Sequence, residues 1–301
     1  MIEKALSRRR ALALLGVAPL LARCAFDPSA IHVGSKNFTE SFVIAEIYAQ
    51  SLEAAGFHVE RLFNLGSTQI AIAAMERGNI DLYPEYTGTA LLDVLHLPPI
   101  ANSRAAYEVV RRSFARRYSL VWLPPSPMND SQALATTRAI ARQYRLANLS
   151  DVARAAPNLR FATIQEFLAR PDGLPGLQHF YGGFRFREIR TYDIALKYRA
   201  LLENRADVAS AFSTDGAIAT DDLVVLRDDR HFWSAYNVAP LVRAATLAAH
   251  PRVATALNAV SPGITDRTAQ SMNAAVESAQ ADPADVAASF LRNAGVRRLQ
   301  H

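Results

Sequence analysis

From Ile31 onward, short apolar runs alternate with helix-period patterns, and this alternation restricts the chain to layered α/β architecture. Residues 31–34 read as a first strand. The spacing Ile44, Ile47, Tyr48, Leu52 and Ala55 places one apolar face on a helix that stops at Gly56. Residues 59–63 read as a second strand, and Ser67 or Thr68 caps a helix that runs through Met75 to a stop at Gly78. A third apolar run then ends in a polar, aromatic turn, Tyr83-Pro84-Glu85-Tyr86-Thr87-Gly88-Thr89. These pieces form a βαβα unit with parallel strands, so the loops 35–40, 64–68 and 83–89 face one crevice at the strand C-termini.

A helix over 104–117 and an apolar run over 120–123 lead to the proline-rich joint Pro124-Pro125-Ser126-Pro127, the best linker in the chain. The alternation then restarts. Strands are expected at 133–136, 159–162, 208–212, 223–226 and 238–243. Helices are expected after a Ser150 cap, over 174–181 and 193–202, and through most of the C-terminal segment, including 284–291. The pattern divides into an N-terminal signal at 1–30, one lobe from 31–128 plus 237–301, and a second from 129–236. Two crossings, near Pro127 and Asn237, would leave a cleft suited to hinge closure on a ligand.

The chain has 301 residues, half of them hydrophobic, enough for two moderate domains. Its net charge is +5, but acidic and basic residues are interspersed and no run of aromatics alternates with Lys or Arg, which argues against nucleic-acid binding. Only Lys4, Lys36 and Lys197 are lysines among 33 basic residues, a bias read as genomic composition. At the N-terminus, Lys4 and Arg8-Arg9-Arg10 precede an apolar stretch over 11–22 that is too short for an ordinary membrane span and reads as an export signal. Ser7-Arg8-Arg9 also permits a twin-arginine route. Cys24, the only cysteine, occupies a position where a bacterial lipoprotein is cleaved and lipidated, although Arg23 replaces the usual small residue; removal with the signal is the other reading. A second span and a disulfide are not expected.

Enzyme motifs are missing: there is no G-x-S-x-G, H-E-x-x-H, Walker loop or G-x-G-x-x-G, and the seven histidines lack metal spacing. No catalytic role, cofactor or metal is expected. Asp221-Asp222 and Asp228-Asp229 read as solvated loop carboxylates.

Six ordered segments carry a resemblance: Gly34-Ser35-Lys36-Asn37-Phe38-Thr39-Glu40, Leu65-Gly66-Ser67-Thr68, the Tyr83 to Thr89 run, Glu166-Phe167 with Arg170-Pro171-Asp172-Gly173-Leu174, Ser213-Thr214-Asp215-Gly216, and Tyr236-Asn237 before Pro240. Together they resemble the glycine betaine and choline substrate-binding proteins of ABC importers, in the osmoprotectant branch, over the whole chain from about Ile31. The resemblance implies an α/β, two-lobed, type II-like periplasmic-binding-protein fold, exported and possessing a membrane permease and an ATPase as partners, with the binding protein itself a monomer. It also implies a site in which aromatic rings hold a quaternary ammonium and polar groups hold a carboxylate. Such a cation has no N–H to donate, whereas ring faces attract it directly.

Carried over by position, Tyr86 and Tyr236 match cage aromatics. Phe212 and Gln132 stand where members carry tyrosine; Phe212 keeps the ring face, and Gln132 offers an amide instead. Trp233 is a possible substitute ring or a packed loop residue. Lys36, Thr89 and Arg170 match the carboxylate-binding positions. Glu85 and Asp215 are expected to hold strand-end turns, and Tyr83 to join the core. The alternatives are the same scaffold binding a more polar solute, such as an amino acid derivative, or an exported sensor without a transport partner.

Overall fold

A computed structural model describes residues 29–100, 102–193, 196–220, 223–233 and 235–296. The signal segment with Cys24 lies outside the described residues, as do Asp221 and Asp222.

Two mixed five-stranded sheets form the frame. Strands β1 (Ile31–Gly34), β2 (Val59–Leu62), β3 (Leu82–Tyr86), β4 (Leu120–Trp122) and β10 (Val238–Arg243) make the first, in the order β2-β1-β3-β10-β4. Strands β5 (Gln132–Thr137), β6 (Arg160–Thr163), β7 (Glu188–Thr191), β8 (Val208–Phe212) and β9 (Leu223–Leu226) make the second, in the order β7-β6-β8-β5-β9. β1 is parallel to β2 and β3, and β6 to β7 and β8, while β10 and β5 run antiparallel to their neighbours.

The antiparallel strands have a simple cause. β5 begins just after the Asn129 crossing and β10 just after the Asn237 crossing, so each leaves the crevice where the parallel strands arrive. The crossings lie side by side. Asn129 and Asn237 form a β-bridge, Asn237 Nδ2 donates to the Met128 carbonyl at 3.0 Å, and Tyr236 N donates to Asn129 Oδ1 at 2.6 Å.

The helix Thr39–Ala54 is buried nearly all round, not on the single face that its apolar spacing suggested. The C-terminal helices cover its outer side, where Gln50 Nε2 donates to the Ala284 carbonyl at 2.9 Å. A second apolar layer, including Met75, Phe114 and Trp122, lies on the opposite face of the first sheet. The second sheet is likewise packed on both faces, by the Phe161–Phe167–Leu177 group and by the Ala162–Tyr198–Leu201 group.

Several local expectations are corrected. The run after Tyr86 is not an open turn: Thr87–Thr89 is helical and continues into a π turn at Ala90–Val94. The helix Leu149–Ala155 is capped by Asn148, which exchanges bonds with Asp151, and Ser150 instead donates to Asp229 Oδ2 at 2.6 Å. Asp228 is bonded as well, accepting from the Tyr181 hydroxyl at 2.6 Å and Trp233 N at 2.9 Å, so this pair ties loops to helix ends rather than sitting in solvent. Of the helix expected over 193–202, residues 194 and 195 lie outside the described residues, and the described helix is Lys197–Leu202. The Gly78 stop holds: its left-handed φ of 75° ends Thr68–Arg77.

Candidate functional site

The end of β3 is organised by Glu85, which is fully buried. Its Oε1 accepts from Lys36 Nζ at 2.9 Å and from Tyr86 N at 2.7 Å, and its Oε2 accepts from the Tyr83 hydroxyl at 2.6 Å. Glu85 therefore fixes the β3 end, with Tyr83 in the core beside it. Lys36 leaves the β1 end, adds a bond to Thr68 Oγ1 at 3.3 Å, and places its ammonium 4.7 Å from the Tyr86 ring centroid and 5.5 Å from that of Phe38. The Tyr86 hydroxyl donates to Glu40 Oε1 at 2.7 Å.

The β8 end repeats this chemistry from a different sequence. Asp215 Oδ2 accepts from Phe212 N at 3.0 Å, from Lys197 Nζ at 3.1 Å and from the Tyr198 hydroxyl. Lys197 is buried, and its ammonium stands 4.9 Å from the Phe212 centroid and 4.8 Å from that of Tyr198. Gln132, on β5, is the register partner of Phe212. Each sheet thus presents an aromatic ring whose strand-end N–H is held by a carboxylate, with a lysine ammonium against the ring.

A third group lies at the second crossing. Gly88 makes room for the Tyr236 ring, since a Cβ there would fall 2.5 Å from it. The Tyr236 hydroxyl donates to buried Asp172, which also takes a two-bond fork from Arg170, Nε at 2.8 Å and Nη2 at 3.0 Å. Arg170 Nη1 reaches Asp93 Oδ2 at 3.0 Å, spanning from the loop after β6 to the segment after β3. Burial would lower the Arg170 pKa, but bonding to Asp172 and the charges of Asp172 and Asp93 outweigh it and raise the pKa further. Thr89, partly exposed, lies one turn before Asp93. Trp233 is packed, with Nε1 donating to the Asp172 carbonyl at 2.8 Å.

The helix Asp266–Glu277 closes the site from the side. Asn273 Nδ2 donates to Glu40 Oε2 at 3.0 Å and to the Thr214 carbonyl at 2.8 Å, while Gln270 Nε2 donates to the Ser213 carbonyl at 2.8 Å. Thr214 Oγ1 donates to Asp130 Oδ1 at 2.7 Å. These bonds join residues beside both strand ends through one polar seam.

Burial raises the Glu40 carboxyl above its ordinary 4.5, with the Asp215 charge adding to the effect, and raises Asp130 well above 3.8, with Glu40 adding. Both shifts favour the protonated acid in the packed state. Stability from such a group is full below its unfolded pKa and is lost as pH rises through the raised folded value. The melting temperature of the wild type relative to Glu40→Gln should therefore fall as pH rises above the ordinary carboxylate value of 4.5. A scanning fluorimetry series at constant ionic strength reads this difference, and a flat or rising one contradicts it.

The candidate residues thus fall into three neighbouring clusters: Lys36 with Tyr86, Gln132 with Phe212, and Arg170 with Tyr236 and, nearby, Thr89. Sequence reasoning did not single out Phe38, Tyr198, Asp93 or Lys197. For Lys197 a signal existed: lysine is rare in this arginine-rich chain, yet both lysines among the described residues lie against rings at strand ends. Arginines also lie over rings, Arg230 at Phe180 and Arg252 at Phe57, but these two lysines are buried and their ammonium groups are each paired with a carboxylate at a strand end. Among the described residues no group of three or more His, Cys, Asp or Glu could hold a metal ion, and no helix is long and apolar enough to cross a membrane.

Comparison with known proteins gives a consistent result. A family model described as the substrate binding domain of ABC-type glycine betaine transport systems matches residues 29–293. A glycine-betaine-binding protein of Pseudomonas aeruginosa is 34% identical over 288 residues, covering 92% of each chain. The crystal structure of a glycine betaine/carnitine/choline ABC transporter protein superposes with a TM-score of 0.81 at 28% identity, covering 88% of this chain and 99% of that one. Apo YehZ from Escherichia coli superposes with a TM-score of 0.74 at 29% identity, covering 89% of this chain and all of the other.

Proposed function

We propose, for a chain that belongs to the family of substrate-binding domains of ABC-type glycine betaine transport systems, that it captures a quaternary ammonium compound between its two lobes. Its fold is the two-lobed, type II architecture of periplasmic binding proteins. It is a non-catalytic, extracytoplasmic component of an importer for osmoprotectants of the quaternary amine type, working with a membrane permease and an ATPase. Residues 1–30 direct export, and Cys24 provides a lipid tether. The lobes are 31–128 with 237–301, and 129–236, hinged at the paired Asn129 and Asn237 crossings.

One observation carries the ligand class: ring faces at both strand ends already hold ammonium groups, Lys36 at Tyr86 and Lys197 at Phe212. Each lysine charge is offset by its carboxylate, Glu85 or Asp215, so the free faces of these rings can attract a further cation without facing an uncompensated like charge, and Tyr236 adds a third ring. Each face contributes about 0.5 to 2 kcal/mol, against the roughly 8 kcal/mol of micromolar binding. Lys36, Thr89 and Arg170 receive a carboxylate, and Gln132 supplies an amide where a further ring would lie. Ligand contacts from both lobes favour the closed arrangement, which a permease would recognise.

Calorimetric titration with glycine betaine, choline, carnitine and ordinary amino acids tests the reading. Heat is expected with the methylated cations. Heat from primary amines alone would replace it with an amino acid site on the same scaffold.

A further inference from the structure

The Arg170 guanidinium has five N–H donors, arranged as a side edge formed by Nε and Nη2 and an end edge formed by Nη1 and Nη2. Asp172 takes the side edge with two near-parallel bonds and is itself anchored by the Tyr236 hydroxyl. A ligand carboxylate seeking the same two-bond match must use the end edge. Half of that edge is taken: Asp93 Oδ2 accepts from Nη1 at 3.0 Å.

Asp93 is placed there by the backbone. It follows Thr89 by four residues, and the π turn Ala90–Val94, closed by Leu95 N donating to the Ala90 carbonyl at 3.0 Å, carries the chain between them. Residues so spaced share one side of a helical segment. The acid thus faces Arg170 beside the threonine assigned to the ligand carboxylate. The pair is also accessible, with side-chain exposures of 26% for Arg170 and 27% for Asp93. Water can therefore replace either partner when the contact opens, unlike the buried Lys36–Glu85 pair.

We propose that Asp93 is a specificity residue that holds the end edge of Arg170 in place of a ligand carboxylate. It disfavours zwitterions relative to carboxylate-free ammonium cations. A zwitterion must displace Asp93 or bring a second carboxylate beside it, and like charges at that distance repel. A choline-type cation leaves the Arg170–Asp93 bond intact, and its hydroxyl can donate to Asp93. The inference rests on the proposed reading that Arg170 faces the carboxylate of a quaternary amine.

Calorimetric affinities for glycine betaine and choline in wild type, Asp93→Asn and Asp93→Ala, at one ionic strength, test it. The ratio of betaine affinity to choline affinity should rise about tenfold in both variants, a change of about 1.4 kcal/mol. Removing a purely structural clasp between the lobes would weaken both ligands alike and leave the ratio unchanged. An unchanged or lower ratio therefore overturns the assignment while leaving the quaternary amine reading in place. Absence of binding by either ligand in all three proteins overturns that reading, and this inference falls with it.

Discussion

Gly216→Ala should lower ligand affinity by about a hundredfold, equivalent to a shift of about 3 kcal/mol in the closure equilibrium. A Cβ at Gly216 would lie 2.5 Å from Ala274 N and 2.7 Å from Ala274 Cα. The obstacle is backbone, so no rotamer change relieves it. The contact joins the short helix Gly216–Thr220 beside β9 to the helix Asp266–Glu277, which packs on Thr39–Ala54 beneath the first sheet. In the proposed division Gly216 and Ala274 belong to different lobes, so parting them removes the clash and the cost falls on the closed arrangement rather than on the core of either lobe. The urea midpoint of the ligand-free variant should change little, while small-angle scattering with saturating ligand should show a more extended particle than wild type. Wild-type affinity in Gly216→Ala would show that this seam plays no part in closure.

Lys36→Met should destabilise the fold by about 3 to 5 kcal/mol, because it leaves the carboxylate of Glu85 buried without its cation. Glu85 retains bonds from Tyr86 N and the Tyr83 hydroxyl, which limits the loss without neutralising the charge. Adding Glu85→Gln to Lys36→Met should restore much of the stability, since an amide needs no counter-ion. Urea denaturation of the two variants and wild type measures both effects. A Lys36→Met loss below about 0.5 kcal/mol would show that the pair contributes as weakly as a surface salt bridge. In the same protein, ligand affinity should fall more for zwitterions than for choline if Lys36 has the proposed role of receiving a carboxylate.

Much of this arrangement was legible in the chain because it rests on local signals. The β1 to β3 unit followed from apolar periodicity and from stops such as Gly78, and the crossings from Pro124 to Pro127 and from the polar Asn237. Strand β7 was not legible: Glu188–Thr191 lies at a sheet edge with Ile189 exposed at 40%, and it is held by its parallel ladder to β6 rather than by a buried face. The helix Arg138–Tyr144 buries none of its residues and depends on the Thr137 cap, so no apolar stripe marked it. Candidate chemistry was legible where ordered motifs named it, as at Tyr86, Phe212 and Arg170, whose roles toward a ligand are proposals. It was not where the decisive partner is distant in sequence: Asp93 meets Arg170 across 77 positions, and Asn273 reaches Glu40 across 233. Apart from the rarity of lysine, Lys197 and Tyr198 were read only as part of a helix, because nothing local says that their partner is Asp215.

Ring faces should select a methylated ammonium, and calorimetric titration of the wild-type protein with glycine and with glycine betaine measures this. The two share a carboxylate and differ only in whether the nitrogen carries N–H groups or methyls. Glycine betaine should bind at least about fivefold more tightly, since two to three ring faces at about 0.5 to 2 kcal/mol each supply about 1 to 6 kcal/mol to the methylated cation with little competing cost of lost hydrogen bonds to water. Equal affinity for the two, or tighter binding of glycine, would rule out ring-face selection and assign the cleft to hydrogen-bonding groups instead.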